Sequence, residues 1–176
     1  SVSGVYIIGD LTGVPLLKFA ADSASRVVNR ITKHHVKSAD SKILDVLIIG
    51  AGVSGISASI EAQKAGLTYQ IVESNRPLST IENFPAGKPI FTYPEQMTPS
   101  GGLLIEGLTR ETLLENLERQ ASSLQVQPIR ATAQSIERTP SGLATRLLNA
   151  DGSDSDAIHS HAIIVAIGRS GQFRAL

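Results

Sequence analysis

Residues 43–55 read ILDVLIIGAGVSG, an apolar run that leads directly into a turn containing three glycines. The run is rich in β-branched and aliphatic side chains, as expected of a strand that is buried on both faces of a parallel sheet. The glycines have the spacing G-x-G-x-x-G, which between a strand and a helix accommodates the pyrophosphate of a dinucleotide. The stretch therefore predicts an α/β fold of the Rossmann type.

Each glycine of this turn has a distinct predicted role. Gly50 permits the sharp turn from strand to helix, Gly52 lets the backbone approach a pyrophosphate without a Cβ atom in the way, and Gly55 allows the helix to pack closely on the strand. The helix after the turn directs its free N–H groups and its positive dipole end toward the phosphates. The predicted pyrophosphate-binding residues are Gly50, Ala51, Gly52, Val53, Ser54 and Gly55.

The residues that follow complete a βαβ unit. Residues 56–65 predict a helix of small and apolar side chains, and residues 69–72 predict the next strand. Glu73 ends that strand 18 residues after Gly55, where its carboxylate can accept hydrogen bonds from ribose hydroxyls, with Ser74 beside it. A carboxylate would repel a 2′-phosphate at this position, so the site favours FAD or NAD over NADP. The turn alone does not separate FAD from NAD.

The residues before this unit predict a shorter stretch of structure. Residues 5–8 are apolar and indicate a strand that ends at Gly9 and Asp10, and apolar side chains then recur at helical spacing as far as Ile31. Residues 33–42 are polar and aperiodic, which is typical of a linker.

The residues after the βαβ unit predict a long loop, a helix and a small antiparallel meander. Residues 74–102 carry five prolines and three glycines, and a loop of this length is usually functional or mobile, so we expect it to border the ligand. Residues 108–124 have the apolar stripe of an amphipathic helix. Runs of alternating polarity and a final apolar run then predict strands at residues 126–130, 133–138, 143–148 and 162–167.

Three side chains of the long loop have alternative predicted roles. Phe91 and Tyr93 could stack near a flavin ring, although packing of the loop onto its own core is the favoured interpretation. Lys88 is interpreted as a solvated charge.

Three separated motifs together resemble the FAD motifs of the pyridine nucleotide-disulfide oxidoreductase superfamily, in particular those of its thioredoxin reductase-like flavoproteins. They are the glycine turn with Glu73, the late strand and its closing glycine at residues 163–168, and the Gly-Asp motif at residues 4–10. The resemblance implies a Rossmann-like FAD-binding domain with a mostly parallel central sheet and a small antiparallel β-meander.

The resemblance also implies roles for residues outside the glycine turn. In the family, the acid of the Gly-Asp motif hydrogen-bonds the ribityl chain, and the helix after it points its N-terminus toward the flavin ring. These roles fall here to Asp10, which follows Gly9, and to residues 11–14. The late-strand motif adds Ala166 and Gly168 as expected cofactor-binding residues.

The order of the motifs departs from the family. There the glycine motif comes first, the Gly-Asp motif comes last, and an NAD(P)H-binding domain is inserted after the late strand. One explanation is a circularly permuted domain, in which residues 1–31 complete the sheet. The other, which we favour, is a stretch cut across the junction of two modules, in which case Asp10 would serve another module's flavin, although the first segment could still dock here.

The predicted parts of the chain follow from this comparison. They are a Gly-Asp segment at residues 1–32, a linker at residues 33–42, and an FAD-binding βαβ domain at residues 43–176 that stops before an NAD(P)H domain.

Composition excludes several other classes of function. Lys plus Arg equal Asp plus Glu at 16 each, so no broad electrostatic field favours nucleic acid or an anionic membrane as a partner. The sequence has no cysteine, which excludes a disulfide, a thiolate metal site and a redox-active cysteine pair within these residues, and no other metal site is predicted. No apolar run reaches the roughly 20 residues that span a bilayer, and no secretory signal is found, so a cytoplasmic location is expected.

We therefore expect the FAD-binding portion of a flavoprotein oxidoreductase that passes hydride or electrons from NAD(P)H through FAD to an unknown acceptor. No second G-x-G-x-x-G motif is present, so the NAD(P)H-binding domain is expected elsewhere in a longer polypeptide, and a homodimer is left open. The sequence does not identify a catalytic residue. The alternatives are an NAD-binding dehydrogenase domain, for which the Gly-Asp motif would be irrelevant, and a non-catalytic module that binds no cofactor.

Overall fold

The computed structural model describes residues 2–34 and 40–168; part of the predicted linker and the last residues of the chain lie outside these ranges. The described strands are β1 Val5–Ile7, β2 Leu44–Ile49, β3 Tyr69–Glu73, β4 Ile129–Thr139, β5 Gly142–Asn149 and β6 Asp154–Val165. The α-helices are α1 Leu17–His34, α2 Val53–Lys64, α3 Ser79–Glu82 and α4 Arg110–Ser123, and Gly9–Thr12 form a 3-10 helix. No helix within the described ranges is long and apolar enough to cross a membrane.

The central sheet is mostly parallel, and the predicted fold class is confirmed. Its strand order is β1-β6-β2-β3-β4-β5. The pairs β1–β6, β6–β2, β2–β3 and β3–β4 are parallel, whereas β4–β5 and β5–β6 are antiparallel. Strand β5 thus pairs with β4 on one side and returns to β6 on the other, which forms the small antiparallel meander.

Strand β2 is central because both of its faces are apolar. Successive side chains of a strand point to opposite faces, and along β2 both sets are buried. Val46 and Ile48 pack in the cluster that includes α1, α2 and α4, whereas Leu47 packs with Leu143 and Leu147 of the meander. The parallel sheet therefore lies between a helical layer and the meander, and the glycine turn leaves it at the end of β2.

Strand β6 is longer than predicted. The sequence predicts a last strand that begins at residue 162, whereas β6 begins at Asp154. Its first part pairs antiparallel with β5, and its second part pairs parallel with β1 and β2. The first part is polar and largely exposed, so only its pairing with β5 makes it a strand. The predicted start was therefore wrong.

The meander differs from the prediction in a second place. The single strand β4 covers the last two residues of the strand predicted at residues 126–130 and all of the strand predicted at residues 133–138, with a register shift between Ala133 and Ser135. The gap predicted at residues 131–132 was wrong, because both residues pair regularly with β5 and the irregularity comes after them.

The first segment of the chain belongs to the same sheet and the same core. In β1, Val5 pairs with Ile163 of β6, and Ile163 donates its N–H to the Gly4 carbonyl at 2.8 Å. Helix α1 packs on α2, where the buried Ser57 hydroxyl donates to the Ala21 carbonyl at 3.1 Å. In this structure the segment extends the sheet, an arrangement that both explanations of the motif order allow.

Helix α1 is separated from the Gly-Asp motif by a short 3-10 helix and a loop. It begins at Leu17, and residues 11–14 belong to the 3-10 helix and the loop after it. Gly13 has a φ of +96° and ends the 3-10 helix in the left-handed region, so a continuous helix from Leu11 is interrupted. The role toward the flavin ring that the resemblance implies for residues 11–14 stays a prediction.

Two buried charges on α1 hold the long loop. The Lys18 ammonium donates to the carbonyls of Pro94 at 2.8 Å and Glu95 at 3.1 Å. The Asp22 carboxylate accepts from the Ser100 N–H at 3.1 Å and from its hydroxyl at 2.6 Å. Because α1 and the loop are joined by these bonds, the first segment positions one wall of the cleft described below.

Candidate cofactor site

A cleft of about 710 Å³ opens at the carboxyl ends of the parallel strands. Ile49 at the end of β2, Glu73 at the end of β3 and Ala166 just after β6 line it, together with the start of α1 and part of the long loop. Its volume falls within the roughly 300 to 1,000 Å³ of typical ligand sites. The carboxyl ends of such sheets are where Rossmann-type folds bind nucleotides.

Two of the three glycines in the turn are required by the protein itself. Gly50 has a φ of +103°, and a Cβ atom there would lie 2.6 Å from the Ala166 carbonyl oxygen. A Cβ atom at Gly55 would lie 1.8 Å from the Gly50 carbonyl oxygen. These positions therefore have a structural reason to be glycine whether or not a ligand binds.

Gly52 is different, because no atom of the protein lies within 4 Å of the position of its Cβ. Its φ of −77° suits any residue, so the fold itself does not require glycine here. The residue lines the cleft and precedes α2, whose first turn has no side-chain cap and no acidic residue. Open space in front of uncapped N–H groups fits the close approach of a phosphate.

Glu73 lies at the cleft with its carboxylate oriented by backbone donors. One oxygen accepts from the Ala51 N–H at 2.7 Å, and the other accepts from the Asn75 N–H at 2.8 Å. The Ser74 hydroxyl is 3.4 Å from the latter oxygen. An ionised carboxylate has about four lone-pair sites, so this fixed group retains capacity for ribose hydroxyls.

The Gly-Asp motif lies against the glycine turn. Gly9 has a φ of +71°, and a Cβ atom there would lie 2.5 Å from the Ser54 hydroxyl oxygen in the first turn of α2. The Gly9 N–H donates to the Ser23 hydroxyl at 3.1 Å, which ties the motif to α1. Asp10 lines the same cleft as Gly52.

The late-strand motif forms a neighbouring part of the wall. The buried Ala166 donates its N–H to the Ile49 carbonyl at 2.7 Å, which brings the end of β6 beside the end of β2. Gly168, with a φ of +65°, also lines the cleft.

The structure thus brings the predicted site residues into one region. Those that line the cleft are Asp10, Gly50, Gly52, Val53, Ser54, Glu73, Ser74, Ala166 and Gly168. Gly9, Ala51 and Gly55 are buried behind its wall. Their roles in binding stay predictions, because geometry alone does not assign them.

Much of the lining of the cleft, which is mostly apolar, was not predicted from the sequence. The side chains concerned come from the start of α1, from α3 and its surroundings, and from β4: Leu16, Leu17, Ala20, Leu78, Ile81, Phe84, Thr132 and Ala133. None of these residues belongs to a motif, and Thr132 falls in the gap between the two strands predicted there. Within the described ranges, no three His, Cys, Asp or Glu side chains are arranged to hold a metal ion.

The long loop adds two aromatic side chains and a cation to the cleft. Phe91 and Tyr93 are 72% and 52% exposed, and their rings stack with centroids 6.2 Å apart. They do not pack onto the core as the favoured interpretation had it, because the loop is held from α1 and leaves them facing the cleft. The Lys88 ammonium lies 3.9 Å from the centroid of the Phe84 ring.

Comparison with known proteins agrees with the class that the fold and the cleft define. The profile of the pyridine nucleotide-disulphide oxidoreductase family matches residues 47–135. The chain therefore belongs to this family of flavoprotein oxidoreductases, as its motifs predict.

Individual relatives extend the comparison. The thioredoxin reductase of Mycoplasma genitalium is 39% identical over 62 residues, which are 32% of this chain and 19% of that protein. The bacillithiol disulfide reductase of Bacillus cereus superposes with a TM-score of 0.58 at 20% identity over 69% of this chain and 39% of its own. The thioredoxin reductase of Streptococcus pyogenes superposes with a TM-score of 0.51 at 23% identity, over 78% of this chain and 38% of its own.

These structural likenesses support the fold alone, because their identities are low. The chain also spans less than two fifths of the length of the matched thioredoxin reductase structure and about a fifth of the curated relative. For this chain, the activity of the complete relatives is therefore a proposal.

Proposed function

We propose that this chain is the FAD-binding portion of a pyridine nucleotide-dependent flavoprotein oxidoreductase. The observation that carries the proposal is the convergence of three motifs, far apart in the sequence, on one cleft. Gly52 and Glu73 of the first motif, Asp10 of the Gly-Asp motif and Ala166 of the late strand all line it. Gly52, Glu73 and Asp10 each offer the chemistry that a different part of FAD needs. An NAD site would use the first two and leave the third without a role.

Each of these residues has a proposed partner. The uncapped first turn of α2 and the open space at Gly52 support binding of the pyrophosphate. The carboxylate of Glu73, held by the Ala51 N–H, would accept hydrogen bonds from the adenosine ribose. Asp10 would accept hydrogen bonds from the ribityl chain on the other side of the glycine turn. The apolar lining would exclude water from the rest of the cofactor.

Bound FAD would supply the redox chemistry, by accepting a hydride from the nicotinamide and passing its two electrons to an acceptor. The described residues bind and orient the cofactor in this proposal. The nicotinamide site and the acceptor site would belong to other parts of a longer protein, since the sequence has one G-x-G-x-x-G motif and no cysteine. The acceptor, a homodimer and a cytoplasmic location stay predictions.

The proposal is tested by adding FAD to the purified chain and recording the visible spectrum after gel filtration. We expect about one equivalent of retained FAD. A protein that retains NAD and no FAD would support the NAD-binding alternative instead, and one that retains neither would support the non-catalytic alternative.

Substitution of Gly52 by alanine separates ligand binding from folding. No protein atom obstructs the added methyl group, so G52A should lower the stability by no more than about 1 kcal/mol, the usual range for an N-cap change. The methyl group would occupy the space proposed for the pyrophosphate, so FAD retention should fall severely.

Gly101→Ala is the matched control, because a Cβ atom there has ordinary contacts at 3.4 Å or more and the residue does not line the cleft. This variant should retain FAD. Equal retention by G52A and G101A would contradict the proposed pyrophosphate site.

A further inference from the structure

The exposed aromatic pair in the cleft is the feature that the proposed function leaves unexplained. Phe91 and Tyr93 present two large rings to solvent inside a concave site. Aromatic rings exposed in a cleft are suited to stacking on a planar ligand, because offset ring contacts add to the free energy gained from apolar burial. The pair also has its own geometry, with an angle of 27° between the ring planes.

The position of the pair within the cleft indicates which part of FAD it would meet. Lys18 lies in the first turn of α1 and binds the carbonyls of Pro94 and Glu95, the two residues that follow Tyr93. Tyr93 is therefore held near the start of α1, the helix that follows Asp10 in the chain. Glu73 lies at the end of β3, on the other side of β2 from β6 and β1. If the adenosine of FAD lies at Glu73, the flavin half of the cofactor would extend toward the start of α1.

Lys18 is suited to fix this position. Lys18 is only 8% exposed, and burial of an ammonium group is costly unless the group is hydrogen-bonded. Here the ammonium has two backbone carbonyls as acceptors, at 2.8 and 3.1 Å. Loss of the ammonium would leave both carbonyls without this donor and release the segment next to Tyr93.

We propose that Phe91 and Tyr93 form a stacking wall for the isoalloxazine ring, and that Lys18 is the positioning residue that holds this wall in place. The inference rests on the proposed binding of FAD and adds a specific surface for its redox-active ring. The wall is supplied by the long loop, but its position depends on α1.

Flavin fluorescence provides a direct test. A phenol ring stacked on a flavin quenches its fluorescence by electron transfer, whereas a benzene ring does not donate an electron so readily. The sequence has three tyrosines and no tryptophan, and among the described residues Tyr93 is the tyrosine that lines the cleft. The quenching residue can therefore be identified without interference from an indole.

The experiment compares Tyr93→Phe with the unmodified chain, both saturated with FAD and freed of excess by gel filtration. We expect a several-fold increase in the fluorescence of the bound flavin in this variant, measured per molecule of retained FAD. Tyr69→Phe is the control, because Tyr69 packs against the helical core and does not line the cleft. It should leave the fluorescence unchanged.

A second pair of variants tests the positioning role. Lys18→Met should also increase the fluorescence of the bound flavin, because the loop no longer holds Tyr93 at a fixed place. Arg30→Met changes an exposed cation on the same helix and should have no effect.

The outcomes distinguish this inference from the proposed function. Retained FAD with unchanged fluorescence in Tyr93→Phe would overturn the stacking wall and leave FAD binding intact. If the fluorescence of the bound flavin rises in Tyr93→Phe but not in Lys18→Met, the positioning role of Lys18 would be overturned. Failure of the unmodified chain to retain FAD would overturn the proposed function, and the stacking wall with it.

Discussion

The three glycines of the turn serve different purposes, as the space around each one indicates. At Gly50 and Gly55 an added methyl group would collide with backbone oxygens, whereas at Gly52 it would meet open space. The sequence motif does not distinguish these cases, since all three positions are simply glycine. At the scale of the residue, the structure separates what the fold requires from what a ligand would require.

Substitution of Gly55 by alanine should destabilise the whole domain. The methyl group would lie 1.8 Å from the Gly50 carbonyl oxygen, so α2 must move away from the end of β2. Overpacking of this kind costs about 1 to 3 kcal/mol. Urea denaturation should reveal the loss, and G101A again provides a glycine-to-alanine control. A stability equal to that of G101A would contradict the close packing of α2.

At the scale of the element, α1 and the long loop depend on one another. Asp22 accepts two hydrogen bonds from Ser100 and pairs with Arg26 at 2.6 Å. Burial raises the pKa of Asp22, but the hydrogen bonds from Ser100 and the charge of Arg26 outweigh burial, and the net pKa lies below its ordinary value of 3.8. The ionised carboxylate is therefore the form that the folded structure prefers.

The sign of this shift predicts a pH dependence. A carboxyl group with a lowered pKa in the folded state contributes stability above its unfolded pKa of about 3.8, and that stability is lost as the pH falls through the folded pKa. Asp22→Asn should lower the free energy of unfolding at pH 7 by about 1.5 kcal/mol or more, since hydrogen bonds to a charged group are lost.

Urea denaturation of both proteins at pH 7 and again below the ordinary pKa of an aspartate measures this effect. The difference between the unmodified protein and Asp22→Asn should shrink at the lower pH. A difference that does not depend on pH would mean that the carboxylate charge contributes nothing to the contact between α1 and the loop.

At the scale of the whole molecule, the first segment is part of one core. Strand β1 extends the sheet beside β6, and Ala21 and Ala24 of α1 have no exposed surface. Ser3 also accepts a hydrogen bond from Arg138 of β4 through its carbonyl, so the segment contacts the meander as well. These contacts are consistent with a fold in which residues 2–34 unfold together with residues 40–168.

A charge placed in the contact between α1 and α2 should therefore destabilise the entire chain. Ala21→Asp buries a carboxylate without a partner, which typically costs roughly 3 to 5 kcal/mol. We expect one cooperative unfolding transition at lower urea, detected equally by circular dichroism and by loss of retained FAD. Arg30→Asp, on the exposed side of α1, is the control. Loss of helix signal with FAD binding preserved would mean that the segment is separable.

The sequence predicts some of these features far better than others, for physical reasons. The unit from β2 to Glu73 is predictable because its strand, turn and helix are each encoded locally by apolar periodicity and glycine spacing. The polar first part of β6 is not predictable in this way, because its strand conformation comes from pairing with β5.

The same distinction applies to the cleft. The resemblance to a family indicated that Asp10 could belong to a flavin site. The sequence itself did not show whether Asp10 would line the same cleft as Gly52. For Phe91 and Tyr93, the sequence favoured packing onto the core over exposure in the cleft, and this preference was wrong. Apolar side chains are assumed to pack inward unless a distant contact, here the one from Lys18, holds the backbone elsewhere.

Strand β6 changes partners along its length, and this has a consequence for amide hydrogen exchange. Its last residues have a neighbouring strand on each side, β1 and β2, whereas its first residues depend on β5. Fluctuations that open the meander can expose the early amide protons of β6 while those of Ile163 and Ile164 stay protected. The slowest-exchanging protons should then lie directly beneath the glycine turn, so a molecule that has transiently lost its meander would keep the end of β2 and the end of β6 together and lose only the cleft wall that β4 supplies.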